Sequence, residues 1–157
     1  MIDGALAGLA ATPPMTLVMR GLHALLPRRE QYPLPPQQIT TTLSRSAGVE
    51  SHVDHPQEWE LKTYVAHHAY GAGCGVAYSL AEPALPGPPA IKGALFGIGV
   101  WTVSYLGWLP AAGILPPAHR EPAGRNTVML LAHVVWGATA AVLLSRVSSR
   151  ASRRPIS

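Results

Sequence analysis

The chain has 157 residues, of which 48% are hydrophobic and only 13% are charged. Soluble domains average about 25% charged residues, so the composition favours a membrane protein, and the length leaves room for one compact unit. The net charge of +4 does not indicate nucleic-acid binding, because basic residues concentrate in a short tail beside an apolar segment, as they do at the flank of a membrane span.

Long apolar segments predict an all-α protein, an integral membrane bundle of about four transmembrane helices. About 20 residues are needed to cross about 30 Å of hydrocarbon, and each segment is close to that length. The third and fourth segments lack the polar face that a helix of a soluble bundle would need. The predicted transmembrane domain covers 1–145, and its spans are about 4–26, 61–81, 90–115 and 126–145.

The remaining chain is polar or basic. A polar loop, 27–60, follows the first span, and a basic C-terminal tail, 146–157, follows the last. The first span contains Pro13 and Pro14, which a helix in a bilayer tolerates when neighbouring groups satisfy the freed carbonyls. Thr12 is well placed to bond to backbone there.

Glycines spaced by four positions predict helix faces that pack closely. Small residues at this spacing lie on one face and let transmembrane helices approach each other. The pairs are Gly4 and Gly8, Gly71 and Gly75, and Gly93 and Gly97.

Ionisable residues within the predicted spans fall at one depth. Arg20, His67, His68 and His133 lie about six or seven residues from the same membrane surface, or roughly 9–11 Å at 1.5 Å per residue. Such residues usually face the bundle interior and mark a pathway or a ligand site. The predicted intramembrane polar layer consists of Arg20, His67, His68, Tyr105, Trp108 and His133.

Each of these residues also has a purely structural interpretation. Arg20 has a stem long enough to snorkel to the interface, and His133 fits a hydrogen-bonded core histidine. Successive helix positions differ by about 100°, so at most one of His67 and His68 points well into the bundle. The aromatic residues fit interface anchoring and packing.

Short motifs follow one another in an order that resembles a known family. They are Gly4 to Met15, Pro33 to Pro36, His67 to Gly71, Gly93 to Gly97, Trp101, Trp108 to Pro110, Gly113, Pro116, Pro117 and Leu131 to Gly137. Together they resemble the YagU-like bacterial inner-membrane proteins, a family named mainly as a domain of unknown function. The resemblance implies a small multi-pass protein of the bacterial inner membrane and a link to acid resistance. It supplies no catalytic residues, and it is loose over 37–60.

Three functional interpretations fit the polar layer. Histidines titrate near 6.5, so the first is a pH-responsive channel, carrier or regulator linked to acid tolerance. The second is a membrane redox subunit, with His67 or His68 and His133 binding haem, or with His23 binding a metal. The third is a structural or assembly subunit without chemistry of its own.

Other classes are disfavoured by missing motifs. No GxSxG, HExxH or carboxylate pair is present, so we expect no enzyme and no catalytic residue. The single cysteine, Cys74, excludes an internal disulfide and a CxxC motif, and we assign no cofactor and no metal. The expected partners are the lipid bilayer and either a second copy or another membrane protein, with no nucleic acid.

Overall fold

The computed structural model describes residues 1–48 and 56–152, and within these ranges the chain is helical and forms no strand. The long apolar runs form helices because a helix satisfies every backbone group within its own segment. The all-α fold predicted from the sequence is therefore confirmed. The helices are α1 (Ile2–Ala24), α2 (Pro35–Ser46), α3 (Pro56–Ala81), α4 (Pro89–Thr102), α5 (Leu109–Ala111) and α6 (Ala123–Ser152).

Three helices are long and apolar enough to cross a membrane. They are Ile2–Ala24, Pro89–Ala111 and Ala123–Ser149, the second of which joins α4 to α5 through a π-helical segment, Val103–Trp108. At 26 residues, or about 39 Å, α3 is also long enough, but its first turns carry Glu58, Glu60 and Lys62. The prediction of about four transmembrane helices is consistent with three apolar spans and this fourth, more polar helix.

The segments expected to be loop and tail contain additional helix. The predicted loop 27–60 contains α2 and the start of α3, with residues 49–55 outside the described ranges. In the predicted tail 146–157, α6 continues to Ser152, and Arg153 and Arg154 lie outside the described residues. The α2 helix begins where Pro35 takes its first position and the Gln37 side chain accepts a hydrogen bond from the backbone N–H of Leu34, 3.2 Å away.

The long helices pack as antiparallel neighbours through small residues. α1 lies between α3 and α6, and α6 lies between α1 and α4. A Cβ built on Gly8 would collide with the carbonyl oxygen of Gly71, and one built on Gly93 would collide with that of Gly137. Only glycine permits these close backbone approaches, which is the role predicted for the paired glycines.

The order of packing leaves a gap between the two outer helices. The backbones of α3 and α4 approach each other at few positions, although both helices pack on the central pair α1 and α6, and the rings of Tyr78 and Phe96 meet between them. The central pair is joined by Trp136, whose Nε1–H donates to the carbonyl oxygen of Gly8 over 3.1 Å. α2 packs against α3 and lies over one end of the gap. The result is an internal cavity with walls from every long helix.

Candidate functional site

A cavity of about 200 Å³ lies inside the bundle, with α2 contributing part of its wall. Its lining is mainly apolar, and no charged side chain is among the described residues that line it. Histidine, tyrosine, serine, threonine and cysteine supply the polar groups. Residues of the predicted layer that line this cavity are His67, Tyr105, Trp108 and His133.

The two cavity histidines come from helices on different sides of the bundle. His67 lies on α3, and His133, which is 6% exposed, lies on α6. Nδ1 of His133 is 2.7 Å from the carbonyl oxygen of Met129, so Nδ1 donates and the neutral ring keeps its lone pair on Nε2. The His133 ring also meets the Tyr105 ring edge to face, at 5.8 Å between centroids. His133 thus combines a core hydrogen bond with a position on the cavity wall.

A π-helical segment, Val103–Trp108, shapes the facing wall. In a regular α-helix, the spacing of Trp101, Tyr105 and Trp108 would place all three on one face. The wider π turn instead buries two successive residues, Ser104 and Tyr105, and leaves Trp108 41% exposed. Pro110 follows this segment and lacks a backbone N–H, which removes a regular helical hydrogen bond at this point. Single π turns in α-helices occur frequently at functional sites.

Arg20 and His68, the other two residues of the predicted layer, do not line the cavity. Arg20 is exposed and lines a separate open groove of about 520 Å³, together with Glu60. His68 is buried, and its Nδ1 donates to the carbonyl oxygen of Tyr64 over 2.8 Å. Nε2 of His68 has no hydrogen-bond partner among the described residues. The single layer expected from depth is therefore divided, with His67 lining both the cavity and the groove.

Tyr70, Cys74 and Ser104 are polar cavity residues that the sequence analysis did not assign to the layer. The Tyr70 hydroxyl and Ser104 Oγ are 3.0 Å apart and join α3 to the π-helical segment that follows α4. Tyr70 and Cys74 follow His67 at helical spacing and lie on the same face of α3, so this spacing could have predicted that they line the cavity. Ser104 could not have been found this way, because its burial depends on the π turn.

A second cluster surrounds Arg125, which the sequence analysis did not single out. Arg125 is 5% exposed, and its guanidinium donates to the carbonyl oxygens of Glu30, Tyr32 and Pro33 at 3.0, 2.9 and 3.0 Å. Its Nε also pairs with Glu121 Oε2 at 3.2 Å. This cluster fixes the α1–α2 loop onto the start of α6. A basic residue in the first turn of a helix opposes the helix dipole, and this unfavourable position is the feature of the sequence that could have pointed to Arg125.

Tyr32 completes the Arg125 cluster. Its ring lies under the guanidinium, and its hydroxyl donates to the Glu121 carboxylate. Burial, reinforced by this hydrogen bond, raises the pKa of Tyr32 to about 12. His23 Nε2 lies 3.1 Å from the Tyr32 carbonyl oxygen, in this cluster and not on the cavity wall. His23 is therefore not placed to share a metal with His67 and His133.

No metal site of three or more His, Cys, Asp or Glu residues is present in ranges 1–48 and 56–152. The residues match a family model described as "Protein of unknown function (DUF1440)" over 15–142. The chain belongs to this family, because the match covers well over half of its length. No curated protein and no solved structure matches the chain.

Proposed function

We propose that this family member is a pH-responsive membrane protein, a channel, carrier or regulator, in which protonation of His67 and His133 changes the packing of the bundle. One observation carries the proposal: the two histidines lie on different walls of one cavity, and no residue of 1–48 or 56–152 that lines it is charged. Histidine gains a positive charge on acidification, and removal of the ring from water opposes that charge, so strong rather than mild acidification is the expected stimulus.

The surroundings of the two rings offer little to balance a new positive charge. Among the described residues, the titratable and charged groups around them are Tyr70, Cys74 and Tyr105 on the cavity wall, His68 beside His67, and Arg20, Glu60 and Tyr64 in the outer groove. Glu60 is the one acidic side chain of this set, and it lies in the groove with Arg20. A charge moved out of water costs several kcal/mol unless it is paired, so the protonated cavity favours a rearrangement that admits water or an anion.

Tryptophan quenching tests this response directly. Trp108 and Trp136 line the cavity, and acrylamide quenches tryptophan only where it can reach the ring. We expect the wild-type protein, reconstituted in liposomes, to show greater quenching at pH 4 than at pH 7.5. His67→Phe together with His133→Phe removes both titrating rings and should make quenching independent of pH over this interval.

The matched control is His119→Phe, which replaces an exposed histidine in the short segment before α6. This variant should keep the wild-type pH response. A double variant that elutes as a folded protein and still responds to pH like the wild type would refute the proposal. A wild-type protein with no response would also refute it, and would favour the structural or assembly role.

The proposal places the protein in the bacterial inner membrane and links it to acid tolerance, on the basis of its resemblance to YagU-like proteins. Its partners are the bilayer and a second copy or another membrane protein, and it performs no enzymatic reaction and binds no nucleic acid. A strain that lacks the protein should survive acid shock less well, and the His67→Phe/His133→Phe double variant should not restore survival.

The redox alternative gains no support from the cavity. Pockets that hold drug-sized ligands measure about 300–1,000 Å³. The volume here is about 200 Å³, which is small for a haem. An absorption spectrum of the purified native protein distinguishes the pH-responsive function from the redox alternative. A haem protein would show a sharp absorption band at about 410–430 nm that shifts on reduction.

A further inference from the structure

The cavity also has the features of a binding site for a small neutral molecule. Its volume of about 200 Å³ exceeds that of an engineered apolar protein cavity of about 150 Å³ that binds benzene. The indole rings of Trp108 and Trp136 and the ring of Tyr105 contribute aromatic surface to its wall. Because none of the lining residues that the structure describes is charged, a carboxylate or ammonium ligand would lose its hydration without a counter-charge from them. The site therefore favours a neutral ring compound.

The hydrogen-bonding state of His133 specifies what the ligand must carry. Nδ1 of this ring donates to the Met129 carbonyl oxygen, which can only accept, so Nε2 of the neutral ring is an acceptor. Nε2 receives no hydrogen bond from the residues in 1–48 and 56–152. A ligand with a hydroxyl donor that enters the cavity can therefore supply the hydrogen bond that this acceptor does not receive from the protein.

A path from the bilayer to the cavity lies between the outer helices. The backbones of α3 and α4 approach each other at few positions, and the Tyr70 hydroxyl is 3.0 Å from Ser104 Oγ on the segment that follows α4. Tyr70 lines the cavity and is 43% exposed, whereas Ser104 is 3% exposed. The Tyr70 side chain therefore lies where the cavity meets the surface of the bundle, and its hydroxyl also faces Cys74 and Trp108.

We propose that the cavity binds a small, neutral, lipid-soluble phenol, whose hydroxyl donates to Nε2 of His133 and which reaches the site between α3 and α4 past Tyr70. The ring of the ligand packs against Trp108 and Trp136. This proposal goes beyond the pH response and does not depend on it, because it concerns the neutral histidine.

Fluorine NMR of the purified protein in detergent at pH 7.5 tests the proposal. The probe is 4-fluorophenol, and its control is 4-fluoroanisole, which has the same ring but no hydroxyl donor. We expect saturable binding of 4-fluorophenol above its uptake by empty micelles, at least tenfold tighter than any binding of 4-fluoroanisole. Equal binding of the two compounds, or uptake no greater than that of empty micelles, would overturn the proposal.

Two variants place the site within the molecule. His133→Phe keeps a ring at this position but removes the acceptor, and should abolish the preference for 4-fluorophenol over 4-fluoroanisole. Tyr70→Phe breaks the bond to Ser104 and should accelerate ligand exchange by several-fold while leaving that preference in place. His119→Phe should behave as wild type. If His133→Phe fails to fold, the comparison of the two compounds on the wild-type protein still decides the question.

The two proposals fail separately. Phenol binding is measured at one pH with the histidines neutral, and the quenching response is measured without ligand. A protein that binds 4-fluorophenol but does not respond to acid would keep the ligand site and lose the pH-responsive function. The opposite result would keep the pH response alone.

Discussion

The guanidinium carbon of Arg125 lies 3.5 Å from the centroid of the Tyr32 ring, where the α1–α2 loop meets the first turn of α6. Three backbone carbonyl oxygens of the same loop accept hydrogen bonds from this guanidinium. One buried side chain thus determines how the loop leaves α1, and with it where α2 begins. Because α2 contributes part of the cavity wall, the Arg125 cluster also shapes the candidate site.

Arg125→Gln should destabilise the protein strongly. The change removes the guanidinium, so that the three loop carbonyl oxygens lose their donor and the Glu121 carboxylate loses its positively charged partner. Breaking a buried ion pair from one side costs about 3–5 kcal/mol, and thermal unfolding in detergent measures the loss. Arg120→Gln, at an exposed position in the same connection, should change the free energy of unfolding by less than about 0.5 kcal/mol. Equal losses for the two variants would show that the cluster contributes little.

Tyr32 should make the protein sensitive to alkaline pH. Its pKa in the fold is about 12, above the ordinary value of 10.0, so the folded state favours the neutral phenol. The stabilisation from this group is complete below pH 10 and is lost as the pH rises from 10 through 12. Tyr32→Phe keeps the ring beneath Arg125 but neither ionises nor donates to Glu121.

The wild-type protein should therefore unfold at a higher temperature than Tyr32→Phe at pH 8, and this advantage should shrink between pH 10 and pH 12. Thermal unfolding at several pH values measures both. An advantage that stays constant up to pH 12 would contradict the raised pKa.

Gly97→Ala should destabilise the contact between α4 and α6. A Cβ at this position would collide with the carbonyl oxygen of His133, so the helices would have to move apart. Overpacking of this kind costs about 1–3 kcal/mol. Gly99→Ala is the matched control, since a Cβ there meets nothing within 4 Å, and the higher helix propensity of alanine should stabilise α4 by up to about 1 kcal/mol. The two melting temperatures should therefore shift in opposite directions.

Trp136→Phe should cost about 1 kcal/mol more than Trp101→Phe. Both changes remove the same atoms from partly or fully buried tryptophans. Nε1 of Trp136 donates to the Gly8 carbonyl oxygen and joins α6 to α1, whereas Nε1 of Trp101 has no partner among the described residues. Denaturation of both variants in the same detergent gives the difference, and identical losses would show that the bond adds nothing to stability.

The composition and the apolar runs were sufficient to predict an all-α membrane protein, because backbone groups in a bilayer must bond within their own segment. The glycine pairs likewise indicated which helix faces approach closely, since the absence of a Cβ permits close backbone contact in any pair of packed helices. Relative position along each helix axis also follows from the sequence, because the rise per residue is constant, and the common depth of the layer in a membrane stays a prediction. These properties depend on local sequence and on the surrounding solvent.

The tertiary structure established which of the residues at one depth face each other. Rotation about the helix axis separates His67 from His68, and the order of packing places Arg20 in an outer groove. The π turn brings Ser104 to the cavity, and the burial of Arg125 depends on a loop distant in sequence. Such arrangements arise from contacts between segments far apart in the chain, so no local pattern encodes them.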